Sequence, residues 1–404
     1  MPMCEPSDND VPSVSGKAAA HPLLGDLFLS FLKLGLTAFG GPAMVAYVRE
    51  LAVKKKGWVS EGAMRDGVAL CQIIPGATVM QLAAYTGLRL RGVAGAAVCF
   101  LGFGLPAFLL MVILSVLYQE ARDAAAIVSL FRGLQVIVVA LVANATWNFG
   151  RGSVKAWQDA VLALGSAVFL GAGQNPILCI CAAGVLGLVL YRGRVAPKMA
   201  SGSPSGGRPC AGARPAVVLA AALAGGVAIL YALDRRLFDL AALMIRVDLF
   251  AFGGGFASVP LMLHEVVGVR GWMDSRTFMD GIAMGQVTPG PIVITATFVG
   301  YLIAGLPGAL IGTVTVFSPS FIILTATVPY FDKLQRSARV RQWVRGVLAS
   351  FVGLLLAVTV RFGLVAPWSP PAIAIGGLAL VALRLKLDIL WVVLAGALIS
   401  AAVL

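Results

Sequence analysis

From Leu27 to Leu404 the chain is a succession of apolar stretches, and its charges gather in the short segments between them. Many stretches approach the roughly 20 residues that a membrane-crossing helix needs, so the pattern predicts an all-α polytopic membrane protein. Glycine and proline interrupt several stretches in their middles, at Phe39-Gly40-Gly41-Pro42, Pro75-Gly76, Phe252-Gly253-Gly254-Gly255 and Pro289-Gly290-Pro291. These interruptions predict broken helices, because proline removes a backbone donor and glycine frees the backbone. Irregular backbone at membrane depth is tolerated only when buried in protein or lining a wet cavity.

The interruptions repeat. Ala38 to Gly41 recurs as Ala251 to Gly254, Gly57-Trp58 as Gly271-Trp272, Asp66-Gly67 as Asp280-Gly281, Gln72 as Gln286, Pro75-Gly76 as Pro289-Gly290 and Arg132-Gly133 as Arg345-Gly346. Residues 26–191 and 239–404 therefore read as two copies of one unit. Residues 1–25 read as a polar tail without a cleavable leader, so that the first membrane helix acts as the insertion signal. Residues 192–215 read as a flexible basic linker, and 216–238 hold an extra apolar segment with no counterpart before the first copy.

Charge sets the orientation. After the first FGG helix come Arg49, Glu50, Lys54, Lys55 and Lys56, net +3, against Glu265, Arg270, Asp274 and Arg276, net 0, in the second copy. Two loops later the bias reverses: Glu120, Arg122 and Asp123 are net −1, and Asp332, Lys333, Arg336, Arg339 and Arg341 are net +3. Cytoplasmic loops carry the excess of Lys and Arg, so matching loops lie on opposite sides and the copies form an inverted-topology pair. Both loops flanking residues 61–88 are basic, which predicts a re-entrant helical hairpin with Pro75-Gly76 at its tip, about 18 Å deep at 1.5 Å per residue. A full crossing by 216–233 conflicts with the side assignment of copy two unless another segment also changes role. About ten to thirteen membrane segments are expected.

Composition narrows the function. With 59% hydrophobic and 12% charged residues, the net charge of +13 belongs to loops and linker and reads as topology signal rather than a nucleic-acid surface. The six cysteines form no CxxC, and no Walker A loop, G-x-S-x-G or H-E-x-x-H is present. No cofactor, metal or enzymatic activity is expected. Two breaks per half in symmetric positions point to a binding site at the repeat interface, made of Phe39, Gly40, Gly41, Pro75, Gly76, Phe252, Gly253, Gly254, Pro289 and Gly290. Helix starts at such breaks offer free amides and a positive dipole end to an anion. Lys33 and Arg246, each six residues before an FGG phenylalanine, supply one cation per half or snorkel to water. Gln72, Thr78, Gln286, Thr288 and Thr295 serve as neutral donors or as interhelical glue. Asp66 and Asp280 carry protons, pair with Arg132 or Arg345 as gates, or complement a helix dipole. His264 and Glu265 form a candidate proton relay.

The stretches FLKLGLTAFGGPAMV and IIPGATVMQLAAYTG, with LFAFGGGFASVPLM and GQVTPGPIVITATFVGY, closely resemble the two signature regions of the chromate ion transporter family in its long, two-domain form. Copy one departs with PGA where copy two has PGP, and copy two with FGGG where copy one has FGGP. The resemblance implies chromate export across the bacterial inner membrane, with resistance as the outcome and sulfate as competitor or alternative substrate. An inward sulfate or other oxyanion carrier, and an anion channel or membrane-embedded enzyme, are the rivals. Lipid is the expected surrounding, and homo-oligomerisation is left open.

Overall fold

The computed structural model describes residues 22–39, 43–121, 124–193 and 213–403, which form helices joined by short turns, with no strand among them. Gly40, Gly41, Pro42 and linker residues 194–212 lie outside the described residues. The first copy opens with α1 (Leu24–Thr37), a break, and α2 (Ala43–Arg49), which continues as a wider-pitched turn over Glu50–Lys55. Gly57, at φ +61°, reverses the chain, and Ser60 caps α3 (Glu61–Ile73) by accepting the Ala63 N–H. After Pro75-Gly76 comes α4 (Thr78–Ala121), split at Arg91 and at Gly92, whose φ is +63°. Residues 78–90 double back along α3: Gly67 faces the Tyr85 ring, and the Tyr85 hydroxyl donates to the Ala63 carbonyl at 3.1 Å. The expected re-entrant hairpin is thus present.

Residues 93–121 of α4 and α5 (Ala125–Ser153) are long and apolar, and α6 (Trp157–Gly171) and α7 (Pro176–Leu190) are shorter. Then α8 (Ala213–Leu233), starting inside the segment expected as linker, lies on α9 (Arg235–Phe250). The second copy follows the first: a break, α10 (Ser258–Leu263), a wider-pitched turn over His264–Val269, Gly271 at φ +60°, and Asp274 capping α11 (Ser275–Val287). Next come the tip at Pro289-Gly290, α12 (Thr295–Thr327) split at Ala304-Gly305, α13 (Phe331–Arg336), α14 (Ala338–Val365), α15 (Pro370–Arg384) and α16 (Ile389–Val403).

In copy two a second hairpin follows from the break at FGG. Arg246 lies 3.9 Å from Glu265 and Arg270 3.7 Å from Asp239, so the segment after the break runs back beside α9. The break therefore turns the chain around, and α10 returns beside α9.

Among the described residues five helices are long and apolar enough to cross a membrane, and α8 is the odd one, with no described equivalent in the first copy. Equivalent helices α5 and α14 pack side by side and antiparallel: Thr146 meets its own counterpart Thr359 at 3.1 Å, and Gly150 faces Val352. A pair of equivalent residues in contact lies on a pseudo-two-fold axis, and antiparallel equivalents place that axis across the helices. The copies are inverted and also interlocked, since α6 and α7 pack on α14 and α15 and α16 pack on α5. Small residues permit this approach: a Cβ on Gly346 would meet the Ala183 carbonyl at 2.2 Å, and one on Gly353 the Ala163 carbonyl at 1.8 Å. Gly87 against Gly95, and Gly300 against Gly308, let α4 and α12 fold back at their kinks.

Candidate functional site

The four interruptions meet in the middle of the protein, and they meet across the repeats. The Gly76 N–H at the tip of hairpin one donates to the Ala251 carbonyl, just before the second FGG, at 2.9 Å. Reciprocally, the Gly290 N–H at the other tip donates to the Ala38 carbonyl, just before the first FGG, at 3.1 Å. Both tip glycines have φ values that disfavour a side chain, +113° and +126°. Thr78, at the start of α4, stands within van der Waals reach of Gly254, and Gly255 lies beside the Ile292 backbone. Helix starts from both copies thus converge on this junction. The first amides of a helix have no partner within it, and helix starts carry a positive dipole end, a chemistry that suits an anion.

The side chains singled out from sequence fall into two groups. Pro75, Gly76, Pro289, Gly290, Gly253 and Gly254 form the junction, and Phe252 packs edge-on against Trp343 with centroids 5.1 Å apart. Phe39 is half-buried at the first break. Thr288 and Thr295 are buried but bond to their own helical turns, at the Gly285 and Ile292 carbonyls, 2.9 and 2.8 Å away. Gln286 is half-buried with Nε2 unpartnered, whereas its equivalent Gln72 is exposed.

The cations do not join each other. Lys33 is exposed on α1, and Arg246, exposed on α9, donates to the Ala242 carbonyl and faces Glu265. They flank the junction rather than line it. Glu265 is approached by Arg270 as well, at 3.8 Å, so it serves as the hub of an arginine cluster instead of a partner reserved for His264. The gates also differ from expectation. Arg345 forms a two-pronged ion pair with Asp159, at 3.0 and 2.8 Å, and stacks over Tyr191, whose hydroxyl also donates to Asp159. Arg132 is exposed. Asp280 accepts from Tyr118 at 2.9 Å and Gln135 at 2.8 Å, and Asp66 is exposed. Sequence reasoning passed over Asp159, Tyr191, Tyr118, Gln135 and Asp248. The signal for Asp248 and Asp159 was an acid within an apolar helix, costly unless it has work to do.

The two copies, residues 25–188 and 238–401, each match the family described as chromate transporter. The chain belongs to the chromate transporter family. An uncharacterised transporter of Methanocaldococcus jannaschii is 46% identical over 93% of each chain. The chromate transport protein of Pseudomonas aeruginosa is 31% identical over 92% of this chain and 90% of its own, and that of Cupriavidus metallidurans 29% identical over 83% and 82%. No solved structure matches. For a chromate transporter family member the chemistry present is that of anion handling. The described residues hold no cluster of three metal-ligating side chains, and Cys71, Cys99, Cys179 and Cys181 are free thiols.

Proposed function

We propose that this protein exports chromate from the bacterial cytoplasm across the inner membrane, its two inverted halves alternately exposing the junction of hairpin tips and FGG breaks. The reading is carried by the reciprocal hydrogen bonds from Gly76 to Ala251 and Gly290 to Ala38, which make one central site from four breaks. A tetrahedral dianion there is held by backbone amides at helix starts, with Thr78 beside them. Lys33 and Arg246 lie on α1 and α9 as these helices approach the junction, and lend positive potential from each half.

Orientation follows with the basic loops 49–56 and 89–91 in the cytoplasm. Hairpins α1–α2 and α3–α4 return to the side they left, α4 beyond its kink and α5 cross twice, and α6–α7 also returns. Copy one then starts and ends in the cytoplasm, α8 crosses once, and copy two starts outside. On this orientation the extra segment raises no conflict, because the FGG helices are read as hairpins rather than spans. It also puts the basic 332–341 segment in the cytoplasm. An interior-negative potential favours a dianion outside by about 4.6 kcal/mol per 100 mV, so the potential alone can drive export.

The test is potential-driven chromate flux in reconstituted vesicles with sulfate as competitor, for wild type, Lys33→Ala and Arg246→Ala. Chromate movement that follows the potential and slows in both variants supports the reading. Sulfate flux without chromate flux replaces it with a sulfate carrier, and rates beyond those of a carrier replace it with a channel.

A further inference from the structure

Hairpin one rests its tip on a polar nest that hairpin two lacks. A Cβ on Gly76 would stand 2.3 Å from the Ser320 Cβ and 2.9 Å from Gln81 Nε2. The Ser320 N–H, just after Pro319 on α12, donates to Asp248 Oδ2 at 2.6 Å. Asp248 is 1% exposed, and its Oδ1 has no hydrogen-bond partner. Gln81 spends its Nε2 on the Pro75 carbonyl and leaves its buried Oε1 without a donor. Two acceptors without donors therefore lie around the glycine tip, and a proton on Asp248 removes the uncompensated charge of one of them.

No neighbouring charge does so. The elements around Asp248 carry few titratable groups: Arg214 and Tyr231 on α8, His264, Glu265 and Arg270 beyond α10, Tyr301 on α12, and none at tip residues 74–78. On its own helix, Arg246 turns to Glu265 and Asp239 pairs with Arg270. Among the described residues Ser320 alone hydrogen-bonds to the Asp248 carboxyl. A metal ion would need several more oxygen ligands. In copy one the equivalent of Asp248 is Gly35, packed on the Phe103 carbonyl, and the equivalent of Ser320 is Ala107, against Gly290.

Resting on the reading that the anion binds at the junction, we propose that Asp248 is a protonation site linked to anion binding, taking up one proton when the dianion occupies the neighbouring tip. An uncompensated carboxylate in apolar surroundings is costly. A dianion one residue layer away repels it further, so anion and proton favour each other's binding, and the linkage is reciprocal. The step is a proton transfer from solvent to carboxylate, with no other bond changed.

The experiment is calorimetric titration of the purified full-length protein with chromate, above the pH range in which chromate itself protonates, in two buffers of different ionisation enthalpy. Wild type should take up about one proton per chromate, with a dissociation constant that rises up to about tenfold per pH unit. Asp248→Asn should bind with no proton uptake and a pH-independent constant, and Asp248→Glu should restore the uptake at a shifted pH. Wild-type chromate binding without proton uptake overturns the proposal, as does full uptake in Asp248→Asn, or an uptake that sodium replaces. If Asp248→Asn fails to bind, Asp248→Glu decides: binding with wild-type pH dependence sinks the idea, and a displaced dependence supports it. Wild-type protein that binds no chromate at all refutes the junction reading itself.

Discussion

The two copies share a backbone and differ in their chemistry. Their turn glycines adopt nearly the same angles, +61° and +60° at Gly57 and Gly271, and +63° and +59° at Gly92 and Gly305. Their polar groups are distributed unevenly. Hairpin two has Asp280 held by Tyr118 and Gln135, whereas the positions that would serve Asp66 are Phe331 and Leu348, which have no donor to offer. Arg345 meets Asp159 and Tyr191, and the repeat aligns those two positions with Ala372 and Leu404, neither of which carries a charge or a hydroxyl. An inverted repeat needs matching geometry to rock about a central site, but it needs only one copy of each charge relay or lock. On the proposed alternating-access reading, the single-copy features serve individual steps of the cycle and the paired features serve the hinge.

The strongest way to break this comparison is to fill both tips. Gly76→Ala should destabilise by about 3–5 kcal/mol, combining backbone strain with the collision on Ser320. Gly290→Ala meets only the Ala107 methyl, 3.0 Å away, and should cost about 1–3 kcal/mol. Thermal unfolding in detergent measures both, and equal losses would remove the claimed asymmetry. Next, Arg345→Ala leaves a fully buried Asp159 without its cation and should cost about 3–5 kcal/mol. Arg132→Ala, at an exposed position, should stay within about 0.5 kcal/mol, and the same melts compare the two. Smaller still, Tyr118→Phe removes one donor from Asp280 and should cost about 1–3 kcal/mol, while Phe331→Tyr should leave stability within about 1 kcal/mol. The least effect is expected on the exposed Arg49–Glu61 pair, whose removal should change stability by less than about 1 kcal/mol and fade with added salt.

Much of the fold was legible because a membrane leaves few options. Glycine and proline in the middle of apolar stretches announced the breaks, and the alternation of basic loops announced inversion. The hairpin at Pro75-Gly76 was readable because both of its flanks were basic. The hairpin at FGG was not, because a helix, a break and a helix carry the same pattern whether the chain continues or turns back. Only the approach of Arg270 to Asp239 and of Arg246 to Glu265 decided it. On the proposed orientation, that turn leaves α8 as the crossing that inverts the second copy.

The amino-acid sequence by itself determined the lipid setting, the two copies, their opposed charge bias and the positions of the four breaks, since each follows from local hydropathy, charge or backbone chemistry. Which break touches which was decided by tertiary structure alone. Gly76 finds Ala251 and Gly290 finds Ala38 because the copies interlock, and Asp159, Asp248 and Asp280 each take at least one partner from an element more than 70 residues away. A carboxylate's role is set by the donors and charges around it, and those surroundings do not exist until the halves have packed.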